Sequence, residues 1–271
     1  MKRSFQRVSH RARWARRFAL VALPVAAIAI FGQRLGSADT PTTLITYAVG
    51  VLIALAALGL GVSALPSIIG DRYRGGRDAV IAILLGMIVL VPVFYAGYRF
   101  FERPLLSDIT TAPTAPPPFD AALAARPEGA NDLTYPRANA DLQRNAYPAV
   151  RPLFANIAPE DVFAVAEGIV EANGWQILDV VQPTPGFTGR IEAVATTQIF
   201  GFKDDVLIVV TGTADGARVD MRSASRFARH DLGANADRID RFLDELADQL
   251  VALSTAIIEA PEDAETEEPA Q

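Results

Sequence analysis

Three apolar stretches without an Asp, Glu, Lys, Arg or His, Phe18–Gly32, Leu44–Leu65 and Ala79–Tyr98, occupy the first hundred positions. A helix needs about 20 apolar residues to cross the hydrocarbon core of a bilayer, and the second and third stretches meet that length. This feature constrains the chain more than any other. It predicts a membrane anchor at residues 18–98, with spans near 18–32, 44–65 and 79–98, preceded by a basic N-terminus at 1–17. The first stretch is short, contains Pro24 and is followed by Gly36-Ser37-Ala38, so a cleaved signal stands beside a retained span as a reading. Arg16-Arg17 before Phe18 is a faint twin-arginine feature. Because another long apolar stretch follows at once, the retained span is the preferred expectation.

Charge orients the anchor. Lys2, Arg3, Arg7, Arg11, Arg13, Arg16 and Arg17 precede the first stretch without an acid, and Arg72, Arg74 and Arg77 face only Asp71 and Asp78 in the second connection. The positive-inside bias accounts for this better than nucleic-acid binding does. It places the N-terminus and the 66–78 connection in the cytoplasm and the C-terminal part across the membrane. In a Gram-negative cell that is the periplasm, with the protein a multi-pass component of the inner membrane. The formal charge of −6 over 271 residues arises from the tail, where Glu259, Glu262, Asp263, Glu265, Glu267 and Glu268 carry no counter-base. Residues 259–271 are therefore expected to be an acidic disordered tail.

The spans contain no Asp, Glu, Lys, Arg or His, which argues against a transporter or proton relay. Gly50, Ala54, Ala57, Gly61 and Ala64 recur three or four apart along the second span. Small residues at that spacing allow close helix approach, within the bundle first and as a homo-oligomer seam second.

Ten of the eighteen prolines fall between Pro104 and Pro159. Residues 99–130 read as a stiff Pro-rich linker, free to about Ala130, with a docked strap beyond it. A soluble domain spans 131–258. Pro159 opens a helix whose apolar stripe is Val162, Phe163, Ala166, Ile169 and Val170, and Asn173-Gly174 closes it. Four β-like runs follow: Trp175–Gln182, Arg190–Thr197, Val206–Thr213 and Arg218–Ser225. Their short turns predict an antiparallel meander with Val206–Val210 central and covered on both faces. Ile239, Phe242, Leu243, Leu246 and Leu250 then define a long amphipathic helix. The fold class is α+β: a three-helix transmembrane anchor, then an extracytoplasmic domain with a four-stranded antiparallel meander and two packing helices.

Polar chemistry gathers at strand ends and at the start of the last helix. Arg222, Arg226, Arg229 and Asn235 are the candidate anion-binding residues, able to clamp a carboxylate or phosphate beside the positive end of that helix. Lys203, Asp204, Asp205, Ser223, Ser225, Asp231 and Arg238 are candidates for a structural polar network, with Arg222 or Arg226 pairing with Asp204 or Asp205. Both readings stand on the sequence. A hydrolase or transferase using His230, Asp231 or the Asp204-Asp205 pair is the weaker alternative. No Gly-x-Ser-x-Gly elbow frames Ser223 or Ser225, and adjacent carboxylates on an extended strand point apart. With no Cys and only His10 and His230, a metal site would need oxygen ligands alone. No metal, cofactor or catalytic residue is assigned.

The chain here resembles the bacterial family called domain of unknown function 1499. The likeness rests on Thr196-Thr197, Ile199-Phe200-Gly201-Phe202-Lys203-Asp204-Asp205, Arg222-Ser223-Ala224-Ser225-Arg226, and Asp231-Leu232-Gly233-Ala234-Asn235 with Arg238-Ile239. Ser107–Thr111 looks like the family's opening segment. Ala228, His230 and Val209 depart from it, standing where Gly, Ser and a basic residue are common. The resemblance implies an envelope-associated module and transfers no activity. The expected function is a membrane-anchored, non-catalytic module whose partners are the lipid bilayer and an envelope protein or anionic ligand.

Overall fold

The computed structural model describes residues 7–259, so Lys2, Arg3 and the acidic tail beyond Glu259 lie outside the described residues. The chain divides into two compact units. One comprises the residues up to Glu102 together with Thr197–Phe202, and the other comprises Arg103–Thr196 and the chain from Lys203 onward.

The first unit holds helices α1 (His10–Arg34), α2 (Thr40–Ile69) and α3 (Gly76–Glu102), each long and apolar enough to cross a membrane. All three run beyond their apolar stretches. Ser9 accepts from the Ala12 N–H and Asp39 from the Thr42 N–H, so polar caps set the starts of α1 and α2 outside the apolar runs. The helices meet through small side chains. Ala12, Ala15, Ala19, Ala22, Ala26 and Ala29 line one face of α1, and Gly50, Ala54, Ala57, Gly61 and Ala64 one face of α2. An alternating spacing of three and four gives a seam that stays on one side of the helix. A Cβ on Gly50 would lie 3.3 Å from the Ala26 nitrogen, and one on Gly86 would lie 2.9 Å from Leu58 Cγ. The small-residue stripe of α2 is thus buried inside the three-helix bundle. Between helices, the Tyr47 hydroxyl donates to the Val89 carbonyl at 2.7 Å, about one turn before Pro92, which lies inside α3. Within this unit Phe200 meets Tyr47 edge-on at 4.9 Å between ring centres.

The second unit is α+β. Strands β1 (Asp108–Thr110), β2 (Leu153–Ala155), β3 (Gln176–Val181), β4 (Gly189–Thr196), β5 (Lys203–Thr213) and β6 (Gly216–Ser225) form one antiparallel sheet. Its order is β1-β6-β5-β4-β3, with β2 also on β6. The meander β3–β6 is the expected one, and β5 is central with Val206, Leu207, Ile208 and Val210 fully buried. Helices α4 (Ala121–Ala125), α5 (Asn139–Ala146), α6 (Pro159–Ala172) and α7 (Ala234–Glu259) complete the unit. Alternation along the strands sends Ile191, Ala193, Val206, Ile208, Val219 and Met221 into one core with Phe163 and Ile169 of α6 and Ile239, Phe242 and Leu246 of α7. Trp175 stacks on Phe242 in that core, 5.7 Å between centres.

The opposite face of the sheet corrects the expected free linker. Residues 108–134 lie on the domain as a strap. Asp108–Thr110 pairs with β6 in the register Asp108 to Ala224 and Thr110 to Arg222. Phe119, Ala122 and Leu133 then cover Leu207 and Ala224. Proline does not prevent this, because outside β1 and the short helix α4 the strap is irregular and needs few backbone donors. The outer edge of β1 is also closed. The buried Gln143 amide accepts from the Thr110 N–H at 3.1 Å and donates to its carbonyl at 2.7 Å, substituting for a further strand.

Candidate functional site

Strand alternation splits the neighbouring carboxylates of β5 between the two faces of the sheet. Asp204 faces α7, and Asp205 faces the strap. The polar residues picked from the sequence therefore build two networks, back to back across β5 and β6.

On the helix face, Arg238 donates to Asp204, and to Ser223 Oγ and Asn235 Oδ1, both at 2.7 Å. Asn235 accepts from Ser223 Oγ at 2.7 Å and donates to Ser225 Oγ at 2.9 Å and to the Ser107 carbonyl at 3.1 Å. Asp204, Ser223, Ser225, Asn235 and Arg238 are all buried. Asp231 sits at the start of α7, accepting from the Gly233 N–H at 2.7 Å and the Asn235 N–H at 3.0 Å. The positive helix end, where an external anion was expected, is occupied by this side chain.

Burial holds the Asp231 carboxyl above its ordinary value, with nearby Asp204 adding to the rise and the two backbone N–H groups opposing it. The folded state thus binds a proton that the unfolded state has lost. The stability this group contributes is full below about pH 4 and declines as pH rises through the folded value. Asp231→Asn keeps a carbonyl acceptor for the cap and removes the titration. Urea unfolding at pH 4 and pH 7 should show the variant losing less stability over that interval than the native chain. An equal loss in both would remove Asp231 as the titrating group.

On the strap face, Arg222 is 2% exposed and lies 4.8 Å above the Phe119 ring. Its Nε donates to Asp108 Oδ1 at 3.0 Å and its Nη2 to Asp108 Oδ2 at 2.7 Å, a bidentate pair. The remaining donors reach the carbonyls of Pro117 at 2.8 Å and Leu133 at 2.6 Å. Beside it the Tyr135 phenol is pushed up to about 12 by burial and by the Asp108 carboxylate. Asp205, wholly buried, receives Arg226 through Nε at 3.0 Å and Nη2 at 2.7 Å, and Arg126 through Nε at 2.6 Å.

The donors of Arg222 and Arg226 are thus directed at protein acceptors, and the partner of Arg222 is Asp108 rather than Asp204 or Asp205. Arg229 is exposed and stands apart from both networks. Lys203 is also outside them, donating to Thr196 Oγ1 at 2.7 Å across the β4–β5 ladder. His230 uses Nδ1 to accept from the Leu232 N–H at 3.0 Å. Among the described residues no group of three His, Asp or Glu side chains is placed to hold a metal ion.

Asp108, Arg126, Asn131, Arg190 and Glu192 take part in the strap-side contacts although they are not among the sequence candidates. Asn131 donates to the carbonyls of Ser225 and Ala228, tying the strap to the end of β6. Glu192 is 1% exposed and accepts the N–H groups of Asp120 and Ala122, both at 2.8 Å, while Arg190 bonds Glu192, Asp120 and the Pro118 carbonyl. A lone acid within the apolar run Ile191–Ala195 was the available signal for Glu192. Asp108 lay within the Ser107–Thr111 segment, but nothing local named its partner.

Protein MLL2253 from Mesorhizobium loti, a solved structure, is similar at 15% identity with a TM-score of 0.28, spanning 38% of this chain and 95% of that one. No curated protein matches the chain. The family model described as "Protein of unknown function (DUF1499)" matches residues 108–246, from the strand that carries Asp108 through both networks into α7. That match spans just over half of the chain, which therefore belongs to the DUF1499 family.

Proposed function

We propose that this protein is an inner-membrane-anchored module whose α+β domain lies in the periplasm and acts by contact, without catalysis, on an envelope protein or an anionic envelope component. The observation that carries this reading is the internal pairing of the buried charges. Asp108, Glu192, Asp204, Asp205, Arg222 and Arg238 are each bonded to another part of the domain. Catalytic groups are characteristically held in clefts with chemistry in reserve, and these side chains are spent on one another. Orientation is supported by the arginine bias of the N-terminus and of the α2–α3 connection.

Two measurements test it. Alkaline phosphatase fused to the C-terminus should be active in cells, and a fluorescent protein fused there and exported unfolded should be dark; the reverse pattern would place the domain in the cytoplasm. A photocrosslinker at exposed Arg229 should yield a discrete protein or glycolipid adduct in intact cells. Absence of any adduct from Arg229 and other exposed domain positions would remove the contact role.

A further inference from the structure

The end of the helical unit that carries the chain's N-terminus concentrates arginines from two distant segments. Residues preceding α1 are stitched to the α2–α3 connection by a parallel bridge between Val8 and Arg74. The Arg74 N–H donates to the Arg7 carbonyl at 2.9 Å, and the Ser9 N–H to the Arg74 carbonyl at 2.8 Å. Gly75 makes this approach feasible: its φ is +138°, and a Cβ there would stand 3.1 Å from that of Ala12.

The bridge brings Arg7 beside Arg74, in the same unit end as Arg11, Arg13, Arg16, Arg17, Arg72 and Arg77, all exposed. The acids nearby are Asp71 and Asp78, and Asp78 is already paired with Arg16 at 3.0 Å. One turn into α1, Trp14 is half-exposed with the Arg17 guanidinium 4.9 Å over its ring, and Leu20 and Val21 follow as exposed apolar side chains. A cationic rim, an aromatic ring with a polar edge and then bare apolar surface is the order of chemistry met on passing from headgroup to acyl chain.

We propose that this basic end is a binding surface for the phosphate of anionic phospholipid headgroups, with Arg7 and Arg74 at its centre. The proposal rests on the membrane reading of the three helices. It adds to charge-determined orientation a preference for one lipid class, since guanidinium forks bind phosphate oxygens by geometry as well as by charge.

The full chain is reconstituted in nanodiscs of mixed phosphatidylcholine and phosphatidylglycerol, and the lipids retained after mild detergent extraction are counted by native mass spectrometry. The native chain should retain phosphatidylglycerol in excess of its share, and added salt should reduce that excess. Removing a surface arginine should lower anionic-lipid affinity by about fivefold, so Arg7→Gln/Arg74→Gln together should lose about 25-fold. The pair Arg72→Gln/Arg77→Gln, away from the backbone bridge, should also weaken retention. Equal retention of both lipids, or an unchanged excess in both double variants, overturns the headgroup surface. Tighter binding of a duplex oligonucleotide than of phosphatidylglycerol in detergent overturns it in favour of nucleic acid. A chain that stays soluble without detergent or lipid overturns the membrane reading itself, which the extraction step reveals before any lipid is counted.

Discussion

Arg222→Met should destabilise the domain by about 3–5 kcal/mol, the loss associated with stripping one partner from a buried ion pair. Methionine retains apolar contact beneath Phe119, so packing contributes little to the difference. What remains is a nearly buried Asp108 carboxylate without its bidentate partner and two carbonyls, of Pro117 and Leu133, without a donor. The measurement is urea unfolding of the full chain in detergent, followed at Trp175 after replacing the other tryptophan, Trp14, by Phe. The double variant Asp108→Asn/Arg222→Met should recover part of the loss, because the stranded charge is then gone. A change within about 0.5 kcal/mol is what an exposed arginine gives, and it would contradict the clasp. Proteolysis of the 113–130 strap should accelerate in step with the loss.

Asp205→Ala should cost at least as much, on the order of 3–5 kcal/mol, and should exceed Arg226→Ala. The single carboxylate compensates two guanidinium groups, those of Arg126 and Arg226, and its removal leaves like charges facing each other at the strap. Asp205→Asn, which keeps one acceptor oxygen, should fall between Asp205→Ala and the native chain. Hydrogen exchange separates this effect from that of the adjacent residue. Asp205→Ala should raise exchange in the strap and α4, whereas Asp204→Asn should raise it at the start of α7, where Arg238 loses its partner. The same segments loosening in both variants would contradict the division of the two carboxylates between sheet faces.

The segments through which the chain resembles its family have a shared physical job. Asp204-Asp205, Arg222–Arg226 and Asp231–Arg238 supply both networks, and their partners in the strap begin at Asp108, where the family match begins. One network fastens α7 to the sheet, and the other fastens the strap over the opposite face. A meander this short has little apolar surface on its outer side, so paired charge with short apolar contacts at Phe119, Ala122 and Leu133 takes the place of a second layer of helices. Reciprocal burial of this sort fixes one arrangement of strap and sheet, since any slip leaves a guanidinium or carboxylate unsatisfied.

The three apolar helices, the helix–meander–helix order and the residues of the main core are all legible in the chain without its fold. Those properties follow from periodicity, which is local: spacing of three and four along α6 and α7, alternation along β4 to β6, and uninterrupted apolar length in α1 to α3. Position within the sheet was legible for β5 because both of its faces are apolar. Polar side chains at the ends of β5 and β6 and at the start of α7 were readable as a group, but Asp108, Arg126, Asn131, Arg190 and Glu192, which meet them or the strap, were not. Which charge pairs with which emerges only on folding. Arg222 and Asp108 are 114 residues apart, Arg126 and Asp205 are 79 apart, and Arg7 meets Arg74 only where the segment before α1 bridges the α2–α3 connection. No local pattern encodes such distances. Strand register and the path of a proline-rich strap set them, and these in turn arise because a buried charge must find its partner wherever the folded chain brings one.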